Sequence, residues 1–148
     1  MTTDLNELYQ QVILDHSKNP RNYRKLEQAN HVAEGHNPLC GDRVTIFLKV
    51  DNDRIQEISF QGSGCAISKA AASMMTANLK GKTVAEVRQL FDDYRAMVTT
   101  GNLDPKAVGK LAAFAGVHKF PARVKCAILP WHAVVAALDH QTAPVTSE

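Results

Sequence analysis

The stretch Arg43-Val44-Thr45-Ile46-Phe47-Leu48-Lys49-Val50 decides the architecture. Val44, Ile46, Leu48 and Val50 alternate with Thr45, Phe47 and Lys49, the period of a strand with one buried face. Asp51-Asn52-Asp53 then supplies turn-forming residues, and a second strand over 55–61 closes a hairpin. A short strand near 31–34 extends the sheet to three. Upstream, Asp4 and Glu7 have capping-box spacing, and Leu5, Leu8, Tyr9, Val12 and Ile13 share one helix face. That helix runs to about Lys18, where Asn19-Pro20-Arg21-Asn22 stops it.

Downstream of Gly62-Ser63-Gly64, the Ala- and Met-rich run 66–79 favours a helix that ends at Gly81. Thr83 and Glu86 form another capping box, opening a helix through Val98 with Val84, Val87, Leu90, Phe91 and Tyr94 on its apolar side. Asp104, with Pro105 at the first helical position and Gly116 past the end, marks a further helix. In the last segment Trp131, Val134, Val135 and Leu138 fall at helical spacing, and Pro130 either kinks this helix or starts a new one. The tail 141–148 is polar and reads as frayed and flexible. The expected fold is α+β: a small three-stranded antiparallel sheet with helices on one side.

A chain of 148 residues with 45% hydrophobic content suits one compact domain, over 1–140, without disulfide staples. Seventeen basic against fifteen acidic side chains give +2, with no run of like charge, which argues against nucleic acid as a partner. The polar, acidic start Met1-Thr2-Thr3-Asp4 lacks a signal-peptide pattern. No apolar stretch approaches the roughly 20 residues of a membrane span. A cytoplasmic location is the expectation, and there cysteines serve metals or chemistry more often than bridges.

The cysteines are three, each in an unusual setting: Cys40-Gly41-Asp42, Gly62-Ser63-Gly64-Cys65 and Lys125-Cys126. Any one of them alone reads as a small buried hydrophobe. Together, three thiolates and the Asp42 carboxylate make the four ligands of tetrahedral zinc, although no Cys-x-x-Cys occurs and the fold must bring them together. Cys65 falls at or just before a helix N-terminus, a position that favours a thiolate. Asp42 is a harder ligand that would leave the site labile; the simple alternative is a turn-capping role after Gly41. Arg123 and Lys125 are candidates to lower the Cys126 thiol pKa or to pair with a thiolate–metal cluster, or are ordinary solvent-facing residues. Of the six histidines, His36 and His118 lie near the cysteine segments and rank as reserve ligands.

Three motifs carry a resemblance: Asn37-Pro38-Leu39-Cys40-Gly41-Asp42, Gly62-Ser63-Gly64-Cys65-Ala66-Ile67-Ser68 and Phe120-Pro121-Ala122-Arg123-Val124-Lys125-Cys126. With Leu8 to His16 and Asn19-Pro20-Arg21-Asn22, they resemble iron–sulfur cluster assembly proteins of the IscU/NifU family, over nearly the whole chain. The general scaffold of that family has a histidine immediately before its third cysteine, where this chain has Lys125, and its second and third cysteines lie closer together. The extra stretch, about 83–104, looks like the insertion of the SufU branch.

The resemblance implies a SufE/NifU-like two-layer fold and zinc held by Cys40, Asp42, Cys65 and Cys126. It further implies sulfur received from a SufS-type, pyridoxal-phosphate cysteine desulfurase and passed to a downstream SUF scaffold or to iron–sulfur apoproteins. It makes Cys40 the persulfide acceptor, freed when a desulfurase histidine takes a zinc position, and Arg123 an assisting residue. At most, the chain is then a zinc-dependent sulfurtransferase acting with that enzyme. Two alternatives stand beside this: a scaffold assembling a transient [2Fe–2S] cluster on Cys40, Cys65 and Cys126, and a non-catalytic zinc-stabilised interaction domain.

Overall fold

Alternating burial makes 42–51 the middle of a sheet. A computed structural model describes residues 2–38, 41–102, 104–140 and 144–146. Strand β2 (Asp42–Asp51) pairs antiparallel with β1 (His31–Asn37) on one side and β3 (Arg54–Ser63) on the other. Ile46 faces Phe60 and Leu48 faces Ile58 across β2 and β3, and all four are buried on one sheet face. The β2–β3 turn places Asn52 and Asp53 at φ of 53° and 60°. Positive φ at both central residues is the geometry of a two-residue hairpin, and Asn and Asp tolerate it.

The three-stranded antiparallel sheet stands as expected, with one addition from the tail. Val145–Thr146 forms β4, parallel to β1 at Gly35 and His36, giving the order β3-β2-β1-β4. This part of 141–148, read as frayed, is therefore docked on the sheet edge.

Helices α2 (Ala66–Leu79) and α5 (Pro121–Leu138) pack on the sheet, α2 against β3 and α5 against β1 and β2. Small residues permit the close approach: a Cβ at Gly35 would lie 3.0 Å from Leu129 Cδ1. Helix α3 (Val84–Thr100) opens on the predicted Thr83–Glu86 capping box. It stacks Tyr94 on Trp131 of α5 with ring centroids 4.5 Å apart. The Tyr94 hydroxyl donates to the Ala127 carbonyl at 2.8 Å, next to Cys126 in the chain.

Three local expectations are corrected. Helix α1 spans Thr2–Lys18, so Asp4 lies inside it and does not cap it. After Asp104 the chain forms only a short α4 (Pro105–Val108), then a 3₁₀ segment, Gly109–Lys119, with Gly109 at φ +54° and Gly116 inside the run. Of the two readings of Pro130, the start of a new helix is excluded, because α5 runs through it. Pro130 removes one helical donor, but the buried Ile128, Leu129, Trp131 and Val134 hold the helix together by packing.

Helix α2 carries Cys65 at its start, and the segment after α1 braces it. The Arg21 N–H donates to the buried Ser73 Oγ at 2.8 Å, and His16 Nδ1 lies 2.7 Å from the same oxygen. Ser73 Oγ thus ties the α1 end and the Arg21 backbone to α2. Asn22 Nδ2 donates to Thr76 Oγ1 at 3.1 Å.

Burial, aided by the Arg21 charge and opposed by Asp15, lowers the His16 pKa below its ordinary value. Burial also lowers that of His132. A histidine with a depressed folded pKa contributes stability above its unfolded pKa, about 6.5, and loses it as pH falls further. We therefore predict that acidification from about pH 7.5 to about 5.5 lowers the melting temperature, and that His16→Gln reduces the fall while His132 sustains part of it. Thermal unfolding followed by circular dichroism across that range checks this; an equal fall in both proteins contradicts it.

Candidate metal centre

Three separate elements meet at one end of the sheet. Asp42 opens β2, opposite Asn37 in register; Cys65 is the N-cap of α2; Cys126 lies in α5. One ligand atom from each of Asp42, Cys65 and Cys126 lies within 4.8 Å of the others. Asp42 is completely buried, Cys126 is buried, and Cys65 is half-buried. The Cys65 N–H donates to Asp42 Oδ1 at 2.8 Å, and Cys65 Sγ lies 3.7 Å from Oδ2. Cys65 Sγ accepts the Ser68 N–H at 3.4 Å, the helix N-terminal position foreseen from sequence.

The glycine pair before Cys65 is what lets these groups close together. A Cβ at Gly62 would sit 2.1 Å from the Arg43 carbonyl oxygen, so β3 can hug β2 there only as glycine. A Cβ at Gly64 would lie 2.3 Å from Asp42 Oδ1. Core cysteines have no need of such clearance; a carboxylate that must reach a backbone amide does.

The electrostatics point to a cation. Burial raises the Cys126 thiol pKa, and the adjoining Asp42 and Cys65 push it the same way, because each disfavours another negative charge beside it. Among the described residues the ion pairs are Asp15–Arg21 and Asp139–Arg88, neither at this cluster. A buried carboxylate against two thiols, with no ion pair to it among the described residues, is costly unless protonated or metal-bound. The mixed sulfur and oxygen donor set fits zinc. The fourth ligand expected from sequence, Cys40, falls outside the described residues.

The other expected groups are dispersed. Arg123 is exposed, its guanidinium 4.5 Å from the centroid of the exposed Phe120 ring, and Lys125 is half-buried. His36 pairs across β1 and β2 with Arg43, and His118 Nδ1 lies 2.8 Å from the Ala115 carbonyl. Neither histidine joins the Asp42–Cys65–Cys126 group. Sequence reasoning missed Asn37 as a site residue: it is wholly buried, and its Nδ2 lies 3.8 Å from Cys126 Sγ. Its signal was weak, a single asparagine at the start of a turn. Gly64→Ala must displace Asp42, so we predict a folded protein whose zinc affinity is weakened roughly 10–100-fold, read by competition with a chromophoric chelator. Unchanged affinity would contradict the site geometry.

Comparison with known proteins places this geometry in context. The model of the NifU-like N terminal domain matches residues 8–127. The chain is 42% identical over 132 residues to the zinc-dependent sulfurtransferase SufU of Bacillus subtilis (strain 168), covering 88% of this chain and 89% of that one. It is also 42% identical over 136 residues to the iron–sulfur cluster assembly scaffold protein IscU of Streptococcus pyogenes serotype M1, covering 90% and 84%. Among solved structures, FiSufU of Fervidobacterium islandicum AW-1 superposes with a TM-score of 0.82 at 37% identity, over 86% of this chain and 93% of that one. The N-terminal part of a NifU-like protein from Brucella abortus gives 0.83 at 25% identity, over 94% and 99%. A fold, a cysteine framework and a family match that coincide over most of the chain lead to one conclusion: the chain belongs to the NifU-like N-terminal domain family, alongside the SufU and IscU proteins.

Proposed function

We propose that this protein is a zinc-dependent sulfur acceptor of iron–sulfur cluster assembly, taking persulfide sulfur from a SufS-type cysteine desulfurase in the cytoplasm. It passes that sulfur to a downstream SUF scaffold or to iron–sulfur apoproteins. The observation that carries the reading is the buried Asp42 carboxylate packed against two cysteine thiols, with clearance made by Gly64. The SufU relative, named as a zinc-dependent sulfurtransferase, supports zinc.

Asp42, Cys65, Cys126 and Cys40 would hold the metal. When bound, zinc keeps its cysteine ligands as thiolates at neutral pH and shields them from oxidation. Asp42 and Cys65 are tied to each other through the Cys65 N–H, which fixes them as a pair. Cys40 is the acceptor: its thiolate attacks the outer sulfur of the desulfurase's persulfide. The sulfur–sulfur bond of the donor breaks, its electron pair leaves on the donor cysteine as thiolate, and a new sulfur–sulfur bond forms on Cys40. One thiolate and one persulfide are exchanged for one of each, so no oxidant is needed. Arg123, exposed at the start of α5, is available to an incoming partner and assists by stabilising the anionic sulfur.

The same thiolates favour a second reading, a scaffold on which a [2Fe–2S] cluster is assembled as cargo, and the IscU relative is named for that role. A third, a zinc-stabilised interaction domain, makes Cys40 purely structural. Cys40→Ala separates acceptor from structural domain. We predict that this variant stays folded by circular dichroism yet loses all stimulation of the desulfurase; full stimulation would overturn the acceptor role, and unfolding with loss of zinc would favour the structural one.

A further inference from the structure

Asn37 ends β1 with no exposed surface, and a buried side-chain amide must spend its donors on something. Its Nδ2 donates to Cys126 Sγ at 3.8 Å, within hydrogen-bonding reach for sulfur. Its backbone carbonyl accepts the Gly41 N–H at 2.8 Å, and its cross-strand partner is Asp42. One residue thus joins the thiol on α5, the carboxylate-bearing residue of β2 and the Gly41 backbone. Cys65 has a separate donor, the Ser68 N–H at 3.4 Å.

We infer that Asn37 is a positioning residue whose N–H···S bond fixes Cys126 in place as a metal ligand. This deepens, and rests on, the zinc-held acceptor proposed above. A donor aimed at a thiolate is charge-assisted, withdraws electron density from the sulfur and fixes its orientation. It therefore makes Cys126 the poorer nucleophile and holds its sulfur in one orientation toward the metal. With Ser68 doing the same for Cys65, two thiolates are anchored by donors from β1 and α2.

The test uses the full chain loaded with cobalt(II) in place of zinc, where sulfur-to-metal charge-transfer bands report thiolate electron density directly. In Asn37→Ala the near-ultraviolet charge-transfer band should move to lower energy while the tetrahedral d–d bands persist, and zinc affinity should weaken roughly 10–100-fold. Asn37→Asp, which sets an acceptor against the thiolate, should weaken it further. A folded Asn37→Ala variant with an unshifted band and parental affinity overturns the inference. Should both variants fail to fold, the parent loaded with an NMR-active cadmium isotope decides. Scalar coupling from the Asn37 side-chain amide proton through sulfur to cadmium is the expected result. An Asn37 amide that exchanges freely with water and is uncoupled to the metal overturns the inference. A parent that takes up neither metal overturns the metal reading itself, and this inference with it, a result distinct from an unshifted band in a loaded variant.

Discussion

The hydrogen bond from the Cys65 amide to the buried Asp42 carboxylate is the constraint on which the rest of the site depends. It ties the first residue of the central strand to the N-cap of α2, and nothing larger than glycine at position 64 leaves room for it. The carboxylate could not be placed there cheaply for stability alone, since a buried acid without a cation is unfavourable. Burial and the same neighbours raise the Cys126 thiol pKa, so the cluster disfavours further negative charge unless a cation offsets it.

The scaffold serves this junction. The sheet supplies Asp42 and Asn37 at one hairpin end, α2 brings Cys65, and α5 brings Cys126, so each donor comes from an element whose apolar face is fixed in the core. Rigid elements hold a site more precisely than loops do. Behind α2, His16, Arg21 and Asn22 converge on Ser73 and Thr76, and behind α5, Tyr94 bonds beside Cys126, so two further helical segments brace the ligand-bearing helices.

Much of this was legible because it rests on local rules. The Val44–Val50 alternation, the Asn52-Asp53 turn, the span of α2 and the Thr83–Glu86 cap are encoded within a few residues of where they act, and the structure bears them out. Asp42, Cys65 and Cys126 were picked out by residue type and odd company, and they do converge. What was not legible depends on distant partners. Asn37 meets a sulfur 89 residues away, β4 finds an edge that only the folded sheet presents, and α5 passes through Pro130 because packing outweighs one lost backbone bond. The 3₁₀ run after Asp104 likewise departs from the capping signals, at a Gly109 whose positive φ breaks the helix.

The central claim is that one zinc ion is held by three cysteine sulfurs and the Asp42 carboxylate. X-ray absorption at the zinc edge, on protein purified without oxygen, tests it most directly. The account predicts a four-coordinate shell of three sulfurs at about 2.3 Å and one oxygen at about 2.0–2.2 Å. A shell with histidine nitrogen in place of the oxygen, or protein carrying iron and sulfide with little zinc, would contradict it.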